Sequence, residues 1–126
     1  MTRRRDESNL LTAILLECGS GATRLFRNNC GMLQDRNGQH IRYGVCNPGG
    51  SDLIGWTKVT VTPDMVGQTL AVFTAVETKT ATGRVTPEQE RFLQAVAGAG
   101  GRSGVARSVA DAAGIIANKR NSGGTP

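Results

Sequence analysis

The sequence predicts an α/β chain, a mixed β-sheet flanked by helices, and three stretches carry that prediction. Between Glu7 and Cys18 the leucines and isoleucine recur at helical spacing. Asn37-Gly38 is a tight-turn signal between two strand-like runs. An apolar strand, Thr69 to Lys79, precedes Thr86-Pro87-Glu88-Gln89, which has the chemistry of a helix start: a Thr cap, Pro in the first turn and Gln three residues after the cap.

Length and composition narrow the field. At 126 residues the chain is read as a single domain, 7–118, between a basic arm, 1–6, and a flexible tail, 119–126. Fifteen basic against 10 acidic residues give a net charge of +5, which favours a polyanionic partner. Aromatic residues make up only 4%, too few for a base-stacking platform, so contact with a nucleic-acid backbone is the expected mode. Cys18, Cys30 and Cys46 show no CxxC spacing and His40 is alone, which excludes a zinc site; the cysteines are read as small core residues in a reducing compartment. The run LLTAILL is too short to span a bilayer, so the expectation is a soluble, cytoplasmic protein with no membrane partner and no organic cofactor.

In chain order, the first helix is expected from Glu7 to Cys18, capped by Ser8 or Asn9 and ended by Gly19 and Gly21. Thr23 to Met32 reads as one strand carrying Arg27, Asn28 and Asn29, and Gln39 to Val45 as its hairpin return. The glycine-rich turn Asn47 to Gly55 delivers Asp52 to the start of an apolar strand; the spacing of a P-loop is absent. Thr62-Pro63-Asp64 signals a short turn before the Thr69 strand. A helix over 87–98 turns Phe92, Leu93 and Val96 inward. A short strand over 102–107 and a helix over 108–119, with Val109, Ala112, Ala113 and Ile116 inward, complete the chain.

The chemistry gathers at Glu77 and Lys79. Side chains two apart on a strand share a face, so a carboxylate and an ammonium project together from an otherwise apolar strand. If the strand opened by Asp52 lies beside it, two carboxylates and the Thr78 carbonyl can hold one hard cation, Mg2+ or Mn2+, which needs oxygen ligands and no His or Cys. Lys79 would then orient water or offset charge on a phosphate. Gln89 reads locally as the capping partner of Thr86. Arg27 and Arg84, with Asn28 and Ser51, are candidate contacts to a nucleic-acid backbone.

The segments FRNNCG, RYG, GGSDLIG and VETKTATGRVTPEQERFL, in that order, resemble the stand-alone virus-type replication-repair nuclease (VRR-NUC) family of the PD-(D/E)xK nuclease superfamily, as found in viruses and bacteria. The resemblance implies a restriction-endonuclease-like fold with an αβββαβ core and metal-dependent phosphodiester cleavage. It implies Asp52 and Glu77 as metal ligands, Lys79 as the catalytic lysine and Gln89 directed toward the metal's waters. Glu7 would be the acid of the first helix, with Glu17 of the same helix left open for that place. It further implies a homodimer that resolves four-way (Holliday) DNA junctions, in DNA repair or in a phage-infected cell. The alternatives are a flap- or nick-directed nuclease, a non-catalytic nucleic-acid-binding module of the same fold, and a structural dimerisation domain.

Overall fold

Leu11, Ile14 and Leu15 stand three and four apart and are half-buried along one stripe of the first helix, α1, Arg3–Cys18. The structure is a computed structural model and describes residues 3–118, with the backbone alone for 3–5. The tail, 119–126, and the first two residues of the arm lie outside the described residues. The rest of the arm differs from expectation: α1 begins at Arg3, takes Asp6 into its first turn and leaves Ser8 and Asn9 inside the helix. Ser8 does not cap; its carbonyl accepts the Thr12 hydroxyl at 3.0 Å. The helix closes at Gly19, whose N–H reaches the Leu15 carbonyl at 3.2 Å, and Gly21 takes a φ of +68°.

The chain forms two compact units, Met1–Val59 and Thr60–Pro126. In the first, α1 packs on β1 (Thr23–Arg27), which pairs antiparallel with β4 (Leu53–Thr57). A separate hairpin joins β2 (Gly31–Gln34) to β3 (His40–Tyr43). The single strand expected over Thr23 to Met32 is thus two, interrupted at Asn28, whose side chain bonds to a distant loop. The hairpin turn is as signalled but wider than a two-residue loop. Asp35 Oδ1 accepts the N–H groups of Asn37 and Gln39 at 2.8 and 2.9 Å, and Gly38 takes the left-handed conformation, φ +79°. All three cysteines are exposed rather than core residues. Cys30 and Cys46 fall outside the strands, and Cys46 sits at φ +55°.

In the second unit a short 3-10 turn, Pro63–Met65, precedes β5 (Thr74–Thr78), helix α2 (Pro87–Gly98), β6 (Arg102–Ala106) and helix α3 (Val109–Ile116). The strand expected from Thr69 begins only at Thr74; Leu70 and Val72 are 49% and 43% exposed and pair with no strand. β5 and β6 run parallel with α2 as their crossover, a β-α-β unit. Alternate residues of β6 face different helices. The Ser103 hydroxyl donates to the Leu93 carbonyl of α2 at 2.6 Å, whereas Gly104 leaves the room that Ile115 of α3 fills. The buried residues among those described, Leu93, Val96 and Ala106, lie in these two layers. Phe92, Leu93 and Val96 face inward on α2 as expected. On α3 the inner positions are Ala112 and Ile115; Val109 is 87% and Ile116 54% exposed, because the Gly104 gap receives Ile115.

The overall element order is mixed α/β with three two-stranded sheets and three helices among the described residues, in place of one continuous sheet. No described helix is long and apolar enough to cross a membrane.

Candidate functional site

Within the first unit an open cleft of about 680 Å3 is lined by Leu11, Arg27, Asn28, Cys30, Tyr43 and Asp52, together with Asn29 and Gly50. It gathers three residues singled out from the sequence: Arg27, Asn28 and Asp52. Asp52 stands immediately before β4, where the glycine-rich turn was expected to deliver it. Its main chain is fixed by the neighbouring strand: the Asn28 N–H bonds to the Asp52 carbonyl at 2.8 Å, one rung beyond the β1–β4 ladder. Its carboxylate is exposed and has no hydrogen bond or ion pair among the described residues. A carboxylate on an open cleft without a protein cation beside it is a suitable ligand for a hard metal ion.

Asn28 was expected as a backbone contact, and its amide is instead occupied internally. Nδ2 donates to the carbonyls of Val45 and Ser51 at 3.0 and 2.9 Å, and Oδ1 accepts the Val45 N–H at 2.9 Å. The Ser51 hydroxyl likewise turns back, donating to the Leu53 carbonyl at 2.8 Å. Arg27 is exposed at the cleft and remains available to a phosphate. Tyr43 reaches the cleft because Gly31 faces it: a Cβ at Gly31 would fall 2.1 Å from the Tyr43 Oη. Cys30 lies on the same wall, its Sγ 3.8 Å from the Val45 carbonyl. Tyr43 and Cys30 stand within the RYG and FRNNCG segments but are not among the residues singled out from the sequence; Tyr43 is brought there by the β2–β3 pairing and Cys30 by the segment that precedes β2.

On α1, Glu7 is exposed and stands four residues before Leu11 and seven before Ile14, on the helix's inner stripe and one turn beyond the cleft residue Leu11. Glu17 is exposed and off that stripe.

The second unit holds Glu77, Thr78, Lys79, Arg84 and Gln89. Glu77 and Lys79 share a face at the C-terminal end of β5, the end at which parallel strands present ligand-binding groups. Their charged atoms are 3.6 Å apart, with side chains 31% and 20% exposed. The ladder bond from the Lys79 N–H to the Ala106 carbonyl, 3.0 Å, assigns the odd residues of β5 to pairing with β6. The Thr78 carbonyl therefore turns away from β6, where it can serve a cation.

Gln89 serves two partners with the two ends of one amide. Oε1 accepts the Thr86 N–H at 3.0 Å and the Thr86 hydroxyl accepts the Gln89 N–H at 3.1 Å, a complete capping box. Nε2 donates to Glu77 Oε1 at 2.9 Å. The capping role and the role near the acid therefore coexist, and together they fix α2 to the carboxylate. The first turn of α2 also brings the positive end of its dipole toward that acid.

Arg107, not signalled by the sequence, braces the loop after Lys79. Its guanidinium donates to the carbonyls of Thr80 and Gly83, and its N–H bonds to Asp111 Oδ2 at 2.9 Å. Arg84 follows that loop and is exposed.

Within each unit no group of three or more His, Cys, Asp or Glu among the described residues is assembled to hold a metal. Each unit offers oxygen donors of the kind a hard cation takes: the Asp52 carboxylate in the first, and the Glu77 carboxylate and Thr78 carbonyl in the second. The VRR-NUC domain family matches residues 8–110 of the chain, a span that contains Asp52, Glu77, Lys79 and Gln89. No curated protein and no solved structure matches significantly.

Proposed function

The chain belongs to the VRR-NUC family, a nuclease-type domain whose substrate is DNA, and on that premise we propose that it is a divalent-metal-dependent, structure-selective endonuclease that cuts four-way DNA junctions as a homodimer. The observation that carries this reading is the Glu77 carboxylate, held by the Gln89 amide beside Lys79 at the end of β5. An acid at a helix start, secured by an amide that also caps the helix, is far more ordered than an ion pair at a strand end requires.

In this reading the carboxylates of Asp52, Glu77 and Glu7 and the Thr78 carbonyl would be the oxygen donors to Mg2+ or Mn2+. Such a cation, when bound, acidifies water and offsets charge on the phosphodiester. The chain's own groups do the rest. Gln89 orients Glu77 so that its second oxygen, Oε2, is left for a ligand. Lys79, paired with Glu77, would position the attacking water or offset charge on the phosphate. Arg27 and Arg84 bind flanking phosphates.

The fold reading follows the same line. With the β2–β3 hairpin set aside as an insertion, the chain order α1, β1, β4, β5, α2, β6 is compatible with an αβββαβ core of the restriction-endonuclease-like kind. Two-fold symmetry of a homodimer would suit a junction of matching symmetry.

The test is a labelled four-way junction incubated with the protein and Mn2+, beside flap and nicked-duplex substrates. Wild type is expected to cut the junction, and Asp52→Ala, Glu77→Ala and Lys79→Ala to lose that activity. Retained cutting by any of the three, or none by wild type, would overturn the assignment. Light scattering on the eluted protein reports the dimer.

A further inference from the structure

We propose that Asn28 is a positioning residue for Asp52, acting through the loop that delivers it. The inference rests on the reading of Asp52 as a metal ligand. The loop 44–51 is tied at its middle by Asn47, whose Nδ2 donates to the Gly31 and Tyr43 carbonyls at 2.7 and 2.9 Å, which leaves its two ends to be held by other groups. Gly44, Cys46 and Gly49 take positive φ values of 99°, 55° and 102°, and no helix or strand spans the segment. A loop of that kind has many accessible conformations unless something fastens both of its ends.

Asn28 fastens both. Its amide oxygen takes the Val45 N–H at 2.9 Å, and its amide nitrogen reaches the Val45 and Ser51 carbonyls at 3.0 and 2.9 Å. Its own N–H holds the Asp52 carbonyl at 2.8 Å. Every hydrogen of the side-chain amide is thus placed, and one half-buried residue bonds to the start of the loop, to its end and to Asp52 where it enters β4. Gly50 completes the arrangement, since a Cβ there would fall 2.0 Å from the Val45 carbonyl and 3.0 Å from Asn28 Nδ2. An amide with this many internal bonds has no donor left for DNA. Its contribution to cleavage therefore passes through the carboxylate that it aims. Groups that orient a metal ligand from behind change metal affinity or activity by roughly 10- to 100-fold when removed.

The experiment compares full-length wild type, Asn28→Ala and Asp52→Asn. It reads the Mn2+ concentration for half-maximal junction cleavage, Mn2+ binding by calorimetry, and junction binding in EDTA. For Asn28→Ala the expected result is a rise of roughly 10- to 100-fold in the Mn2+ requirement with weaker Mn2+ binding and unchanged junction binding in EDTA. An unchanged Mn2+ requirement, or weakened binding in EDTA as a direct DNA contact would give, overturns the positioning role. If Asn28→Ala gives no cooperative melt, Asn28→Ser, which keeps a hydroxyl donor, is read by the same criteria. Asp52→Asn separates the two levels: if it leaves Mn2+ binding and cleavage intact, the ligand assignment fails, whatever Asn28 does.

Discussion

The two ends of the Gln89 amide make a distinction at the residue scale that can be measured. Gln89→Glu keeps an oxygen for the Thr86 N–H but turns a carboxylate toward Glu77, where an N–H now donates. It should destabilise the protein by about 1 to 3 kcal/mol, the cost of an unmet polar contact. Adding Glu77→Gln restores a donor opposite the new acid and should recover that stability in thermal melts while cleavage stays lost. Recovery of both would mean that Glu77 is structural. Lys79→Ala gives the complementary case. Partly exposed ion pairs contribute about 0–1 kcal/mol, so its melting point should barely change while its cleavage is lost. The acid-x-lysine pair and the capping box are legible in the sequence because each depends on local spacing. That one amide joins them is not, since the contact from Gln89 to Glu77 depends on how α2 lies against β5.

Elements differ in how much of their position the sequence carries. α2 and β6 match expectation closely because the cap at Thr86, the glycines after the helix and the apolar spacing are all short-range signals. The break between β1 and β2 has no such signal, since it is fixed by bonds from Asn28 to Val45 and Ser51, far along the chain. The inner face of α3 departs from its periodicity for a similar reason: the space at Gly104 selects Ile115, and no pattern within α3 reports a gap in another strand. Close backbone approach gives the clearest prediction at this scale. A Cβ on Gly55 would sit 1.8 Å from the Arg24 carbonyl, inside the β1–β4 ladder. Gly55→Ala should therefore cost about 1–3 kcal/mol or more, as overpacking does. Gly104→Ala, which meets the Cγ1 and Cδ1 of the Ile115 side chain at 2.9 Å and no backbone atom, should cost less. Denaturant titration of both variants ranks them, and equal midpoints would contradict the pairing of Gly55 with Leu25 in the β1–β4 ladder.

For the molecule as a whole, the net charge of +5 makes association with DNA a salt-dependent property. Arg27→Ala and Arg84→Ala should each weaken junction binding and lower the slope of log affinity against log salt by about 1, measured in EDTA so that cutting does not interfere. An unchanged slope would remove that arginine from the DNA path. The overall charge and the order of elements are readable from composition and pattern. The division into two units with separate short sheets is not, because periodicity reports which residues form strands and says little about which strands pair. The wall of the cleft adds a convenience that nature did not intend. Cys30 is an exposed thiol beside Asp52's cleft, whereas Cys18 ends α1 and does not line it. With the third exposed thiol removed by Cys46→Ser, maleimide treatment would therefore give a footprinting probe and its control: bound junction should shield the first sulfur from alkylation and leave the second to react at its former rate.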